Sequence, residues 1–275
     1  MVIIIKAITF ILLLIQVSHA QNLISNFCEQ SDQYVSEYNR ALKNEQYLPQ
    51  YQIESPEQAY LIQACLVAGK AQKIIGFKAG LVSRSAQHKF GANEPVLGVL
   101  TEGNLTAINA IVKKSNATSL IEVELAFRLK QSIEKLADLN KDIIGLVDAV
   151  APAIEVPLFH FKDVNTLTSN DIISANVGAD IFMLGEFVPI EEIDINSIKV
   201  SLFENNKLVA GSEHINTTNR WNALMWLIRK SYLEGYDLNK GTVYLTGSLV
   251  KPVILGEAEY YADFKRMKNI TLTVR

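Results

Sequence analysis

Residues 120–129 read Leu-Ile-Glu-Val-Glu-Leu-Ala-Phe-Arg-Leu. Over Ile121-Glu122-Val123-Glu124-Leu125 the apolar and acidic residues alternate, the two-residue period of a β-strand. Glu122 and Glu124 then share one face, with their backbones ~7 Å apart at a rise of ~3.3 Å per residue, while Ile121, Val123 and Leu125 pack behind them. A third acid, Glu155, stands in a second apolar, strand-like run, Pro152-Ala153-Ile154-Glu155-Val156. Carboxylates gathered on a partly buried face repel one another and lose hydration, and a divalent cation relieves both costs. Two readings follow. One is a solvated strand face. The other is a site in which Glu122, Glu124 and Glu155 give hard oxygen ligands to Mg²⁺ or Mn²⁺. A Glu-x-Glu pattern alone does not choose between them.

Lys78 is the second unusual residue. It sits in Ile74-Ile75-Gly76-Phe77-Lys78-Ala79-Gly80, where an ammonium inside an apolar strand is costly unless it meets an anion or reaches water. It reads either as a strand lysine that snorkels or as a catalytic cation that holds a substrate carboxylate or moves a proton. The flanking glycines allow a close approach from above.

The surrounding pattern is mixed. Residues 24–45 read as a helix. Ser55-Pro56-Glu57-Gln58 opens another that runs to Gly69, with Ser as N-cap and Pro in the first turn. Strands are expected at Lys73–Ala79, Leu120–Leu129, Ala153–Leu158 and Ile181–Leu184, and helices at 142–149 and 168–176, with a short helix or lid at 83–90. Ile198–Phe203 and Leu208–Ala210 around Asn205-Asn206 read as a hairpin. An amphipathic helix follows over Thr218–Glu234, then closing strands near 242–247, 257–264 and 269–274. Strands and helices do not alternate strictly, which predicts an α+β fold with a curled, mixed, mostly antiparallel sheet and flanking helices.

Composition narrows the function. The 275 residues are 49% hydrophobic and 20% charged, with Gly 14 and Pro 7, which excludes a disordered or collagen-like chain. Lys+Arg 26 against Asp+Glu 29 leaves no basic surplus for nucleic acid. His88, His160 and His214 are dispersed, and there is no nucleophile elbow, P-loop or dinucleotide fingerprint.

The ordered set of motifs resembles the 2-keto-4-pentenoate hydratase group of the fumarylacetoacetate hydrolase superfamily. It comprises Gly76-Phe77-Lys78-Ala79-Gly80-Leu81, Phe90-Gly91, Glu94-Pro95-Val96-Leu97-Gly98, Ile121–Ala126, Pro152–Glu155, Asp171, Asn176, Asn222-Ala223, Trp226-Leu227 and Thr246-Gly247-Ser248-Leu249. The resemblance implies the superfamily's β-roll, a Mg²⁺ or Mn²⁺ site at Glu122, Glu124 and Glu155, and lyase chemistry on a small 2-oxo acid or its enol. It points to Leu81, Asn176, Thr246 and Ser248 as substrate-binding; for Thr246 and Ser248 ordinary turn chemistry is an equal reading. It also implies a homo-oligomer. Three departures stand out: Val96 where these hydratases often carry Asp, Ala175 where they often carry Asp before the Asn, and Gly178 where they often carry Ser. The set that handles protons for water addition is therefore altered, which leaves decarboxylation, C–C hydrolysis or simple binding open.

The first twenty residues, MVIIIKAITFILLLIQVSHA, have a lysine, an apolar stretch and a Ser-His-Ala end, the layout of a secretory signal peptide cut after Ala20. The expected order is thus a signal peptide at 1–20, an N-terminal helical segment at 21–70 and the catalytic domain at 71–275. The mature chain would be secreted or periplasmic, with no membrane segment left. Cys28 and Cys65 then read as a disulfide or as two buried thiols, and Asn104, Asn116, Asn216 and Asn269 begin sequons.

Overall fold

The computed structural model describes Cys28 and residues 32–114, 119–140, 142–212 and 220–275. The leader at 1–20, His214, the sequons at Asn116 and Asn216, and the expected helical residues 24–27 and 218–219 lie outside the described residues.

In chain order the elements are α1 (Asp32–Lys43), α2 (Pro56–Gly69), β1 (Ile74–Gly80), α3 (Arg84–Phe90), β2 (Val96–Thr101), β3 (Ile111–Val112), β4 (Leu120–Leu129), the single turn α4 (Ile143–Leu146) and β5 (Val147–Val156). Then come α5 (Ser169–Ser174), β6 (Ile181–Leu184), β7 (Val188–Pro189), β8 (Val200–Glu204), β9 (Lys207–Gly211), α6 (Arg220–Leu233), β10 (Val243–Leu245), β11 (Val253–Ile254), β12 (Glu259–Phe264) and β13 (Ile270–Val274). Several begin where local chemistry dictates. The Ser55 hydroxyl accepts from the Gln58 N–H at 3.3 Å and Pro56 opens α2. Ser83 caps α3, which Gly91 ends in the left-handed conformation. Asn205 and Asn206 turn the β8–β9 hairpin with φ 48° and 65°, the angles such a turn needs.

The strands form two sheets. One has eight strands in the order β2-β1-β10-β4-β5-β6, with β11 beside β4 and β7 beside β5; the other has five, β3-β13-β12-β8-β9. The β1–β10 and β13–β3 pairs are parallel and the others antiparallel. This is the expected α+β architecture: a mixed, mostly antiparallel sheet curled into a half-barrel with flanking helices.

Register shows how the two faces of the larger sheet differ. Gly98, Lys78, Leu245, Ala126 and Ala151 lie side by side across five strands. The neighbouring rows on that face hold Glu124 beside Ala153 and Glu122 beside Glu155. One face is thus floored with glycine and alanine and carries the charges. The opposite face presents Phe77, Val99, Val123, Leu125, Phe127 and Ile154, all buried in the main core. Ala59, Tyr60 and Val67 of α2 enter the same core.

Two readings of the sequence are corrected. The helix expected at 142–149 is only the turn α4; the chain is already strand at Val147, and the strand ends at Val156 rather than 158. From Val147 on, the residues pair with β4 instead, so tertiary pairing overrides local propensity. β2 was not expected at all, since its run Val-Leu-Gly-Val-Leu-Thr has no polar alternation and is buried throughout.

Cys28 and Cys65 form a disulfide, with Cα atoms 5.4 Å apart and a sequence separation of 37. It ties the N-terminal segment to α2. Among the described residues no helix is long and apolar enough to cross a membrane. Closing a loop of this length is worth ~2–4 kcal/mol. The Cys28→Ala/Cys65→Ala protein, or the reduced wild type, should therefore unfold at clearly lower guanidinium concentration; identical midpoints would remove the bond from the stability account.

Candidate metal centre

The carboxylates meet because β4 and β5 are antiparallel neighbours. Alternation puts Glu122 and Glu124 on one face, and register sets Glu155 directly opposite Glu122. One carboxylate oxygen from each of Glu122, Glu124 and Glu155 lies within 4.8 Å of the others. Glu124 and Glu155 are fully buried and Glu122 is partly exposed. The solvated-face reading is therefore ruled out for two of the three acids.

Lys78 reaches the cluster from two strands away. It is buried, its ammonium pairs with Glu155, and it donates to the Val177 carbonyl at 3.0 Å. It does not snorkel. Gly98 lets it pass: a Cβ there would lie 2.7 Å from Lys78 Cγ and 3.1 Å from Val177 Cβ. The carbonyl it meets belongs to an unusual turn. Asn176, Val177 and Gly178 are all left-handed, with φ 52°, 53° and 66°. A β-branched residue in that region costs on the order of 1–3 kcal/mol.

The other expected residues fall as follows. Asn176 is close by, but its side chain is committed to the backbone of Val99: Oδ1 accepts from the Val99 N–H at 2.8 Å and Nδ2 donates to the Val99 carbonyl at 2.9 Å. As a direct substrate ligand Asn176 is therefore corrected to a backbone clasp. Ser248 accepts from the Val123 N–H at 3.3 Å, a turn-to-strand contact. Thr246 is buried directly after β10. Leu81 leaves β1 in the left-handed conformation, φ 51°, and its carbonyl accepts from Gln87 at 3.0 Å. Sequence reasoning missed two backbone groups. Gly247 donates its N–H to Glu124 Oε2 at 2.8 Å from φ +95°, where a Cβ would strike Val82 at 2.8 Å. The Val177 carbonyl is the other. Thr-Gly-Ser hints at the first; a carbonyl leaves no mark in a sequence.

Electrostatics follow from burial. Desolvation pushes all three carboxyls up, and Lys78 pulls them back down. Glu155 comes to about 7, Glu124 is raised well above the ordinary carboxylate value, and Glu122 is raised. Burial works against charge on Lys78 too, but the attraction of Glu155, then Glu122, holds it above the usual lysine value.

No family model matches the sequence. Among curated proteins the chain is 25% identical over 209 residues to a 2-keto-4-pentenoate hydratase of Paraburkholderia phymatum, covering 74% of this chain and 79% of that one. Among solved structures it superposes on 4-oxalocrotonate decarboxylase of Pseudomonas putida, in complex with calcium and acetate, with a TM-score of 0.78 at 19% identity, covering 90% of this chain and 98% of that one. A Yersinia pestis structure described as of the fumarylacetoacetate hydrolase family gives 0.51 at 16% identity over 74% of this chain and 93% of that one. The chain is a relative of the 2-keto-4-pentenoate hydratases, with the fumarylacetoacetate hydrolase fold. It is an enzyme, as these relatives are.

The donor set of this hydratase relative fits a divalent cation. Glu124 Oε1 and Glu155 Oε2 are buried without a hydrogen-bond partner, an expensive state unless something cationic meets them. Oxygen-only ligands suit a hard ion. Proton and cation compete for the same oxygens, so affinity must rise as Glu155 deprotonates. Calorimetric titration with Mn²⁺ should give binding at least ~tenfold weaker near pH 6 than near pH 8; equal affinities would refute the assignment. Stability without added cation runs the other way. Since the Glu155 value is raised from 4.5 to about 7, its contribution is complete below 4.5 and is lost as pH rises through about 7.

Proposed function

We propose that the enzyme is a divalent-metal-dependent lyase acting on a small 2-oxo acid or its enol, most like 2-keto-4-pentenoate hydratase. The observation that carries this reading is the convergence of Glu122, Glu124 and Glu155 beside the buried ammonium of Lys78. Mg²⁺ or Mn²⁺ held by these three carboxylates supplies Lewis acidity, stabilising negative charge that builds on the substrate's 2-oxo oxygen. The protein's own groups do the rest. Lys78 holds the substrate carboxylate or carries a proton, and burial strengthens its pull on an anion. Gly247 fixes the Glu124 carboxylate through its N–H, and the turn of Thr246 and Ser248 together with Leu81 borders the substrate. The named relative and the decarboxylase-like fold support this chemical class.

A second reading, loss of CO₂ from a 2-oxo acid, is favoured by Val96. It is buried at the start of β2, and its Cγ2 would lie 3.1 Å from a Cβ at Gly80, on the same face as Lys78. An isopropyl group there cannot activate water, whereas decarboxylation needs only an electron sink. The C–C hydrolase alternative is an outcome of the same test. A panel of 2-hydroxydienoates, oxaloacetate and acylpyruvates, followed by ultraviolet absorbance with and without chelator, should show cation-dependent turnover of at least one compound. Glu124→Gln should lower kcat by ~10³-fold or more, on the scale of losing an electrostatic group at developing charge. A panel left untouched by cation-loaded protein defeats the lyase reading. Val96→Asp should raise water addition relative to CO₂ loss; an unchanged product ratio removes Val96 from the explanation.

The setting is proposed on separate grounds. The Cys28–Cys65 disulfide, together with the signal-like leader, supports work in a secreted or periplasmic space, where such bonds persist. A homo-oligomer is proposed from the family resemblance alone.

A further inference from the structure

We propose that Asn176 is a positioning residue: its side chain fixes the strained turn whose Val177 carbonyl holds the ammonium of Lys78 in place. The proposal rests on the reading of Lys78 as the residue that meets substrate.

The buried Lys78 ammonium has two close partners, Glu155 and the Val177 carbonyl at 3.0 Å. Glu155 belongs to the proposed metal set, and a carboxylate that turns toward a cation loosens its hold on a lysine. The Val177 carbonyl is neutral and lies outside that set, so it anchors the ammonium whichever way Glu155 faces.

That anchor does not hold itself. Asn176, Val177 and Gly178 are consecutively left-handed, and a valine keeps such a conformation only where its surroundings over-determine it. The Asn176 carboxamide supplies the strongest constraint, closing on both the N–H and the carbonyl of Val99 at 2.8 and 2.9 Å. Val99 follows Gly98, the residue over which the Lys78 stem lies beneath Val177. One side chain thus sets the height of the turn above the strand, with the lysine between them. Other bonds hold the flanks: Tyr38 donates to the Ala175 carbonyl at 3.1 Å, and the Leu158 N–H donates to the Gly178 carbonyl at 2.9 Å. Asparagine suits position 176 for two reasons. It tolerates positive φ, and it carries the donor and acceptor that a two-point bond to a peptide group requires. Glycine supplies the first property without the second.

The test compares Asn176→Gly with Tyr38→Phe, which removes the flanking bond to the Ala175 carbonyl but leaves the clasp on Val99 intact. Each variant is examined by circular-dichroism melting, Mn²⁺ titration, steady-state kinetics on whichever panel compound the wild type turns over, and mass-spectrometric labelling of lysines with pyridoxal phosphate. In Asn176→Gly, kcat should fall ~100-fold, the scale of a misplaced catalytic group, with KM and Mn²⁺ affinity within about threefold of wild type. Labelling of Lys78 should rise about tenfold or more while that of Lys230 stays unchanged. Tyr38→Phe should keep kcat within about threefold. Wild-type kcat in Asn176→Gly, or a parallel rise in labelling at Lys78 and Lys230, overturns the proposal. If the wild type turns over nothing, the lyase reading fails; the labelling still decides the positioning claim, which unchanged Lys78 reactivity defeats.

Discussion

The burial of Glu122, Glu124 and Glu155 around one ammonium is the constraint on which the rest of the structure depends. Three carboxylates and Lys78 cannot all be charged in a closed site without a further positive charge. Each isolated ion taken out of water costs several kcal/mol, far more than a hydrophobic core of this kind would tolerate as an accident. Three responses offset that cost. The acids hold protons up to unusually high pH, a backbone N–H is aimed at Glu124, and a lysine is buried beside Glu155. None of these satisfies the remaining oxygens, and that residual demand is what a cation meets.

The fold is arranged to keep this cluster rigid. The charged groups stand on strands in the middle of an eight-stranded sheet, where neighbours on both sides fix the backbone. The floor around them includes Gly98, Ala126, Ala151 and Ala153, and Gly98 gives the Lys78 stem its passage. Phe182, Leu184 and Leu245 pack against those alanines on the same face, while Phe77 and Phe127 pack in the main core on the other. A two-residue period sorts these roles: along β4 the acids face one way and the core residues the other.

Much of this was legible in the sequence, and the limits have physical causes. Glu122 and Glu124 could be placed on a common face because strand alternation is local. The pairing of Glu122 with Glu155 was not readable, since register between strands that are distant in the chain is set by the whole sheet. The ordered motifs indicated the architecture despite that. The helix expected at 142–149 stops after one turn because Val147 and the residues after it pair with β4, a tertiary contact that local propensity does not report. β2 escaped notice because a strand buried on both faces shows no alternation. Asn176 stands in a family motif, and its amide closes on the peptide group of Val99, a partner that no local pattern announces.

The N-terminal helices belong to the same chain of dependence. Tyr34 and Tyr38 of α1 bond Ser174 and Ala175, immediately before the left-handed turn. Gln63 of α2 donates to the carbonyls of Leu97 in β2 and Ile173 in α5, the two elements that the turn bridges. The Cys28–Cys65 bond tethers the segment before α1 to α2 at a point two residues from Gln63. Constraint therefore passes from Cys28 to the carbonyl that holds Lys78. Strain at Val177 requires such redundancy: a conformation disfavoured by its own residue persists only if several independent contacts would have to break together. A disulfide suits that task better than one more hydrogen bond, because it also narrows the unfolded ensemble against which the strained turn must compete.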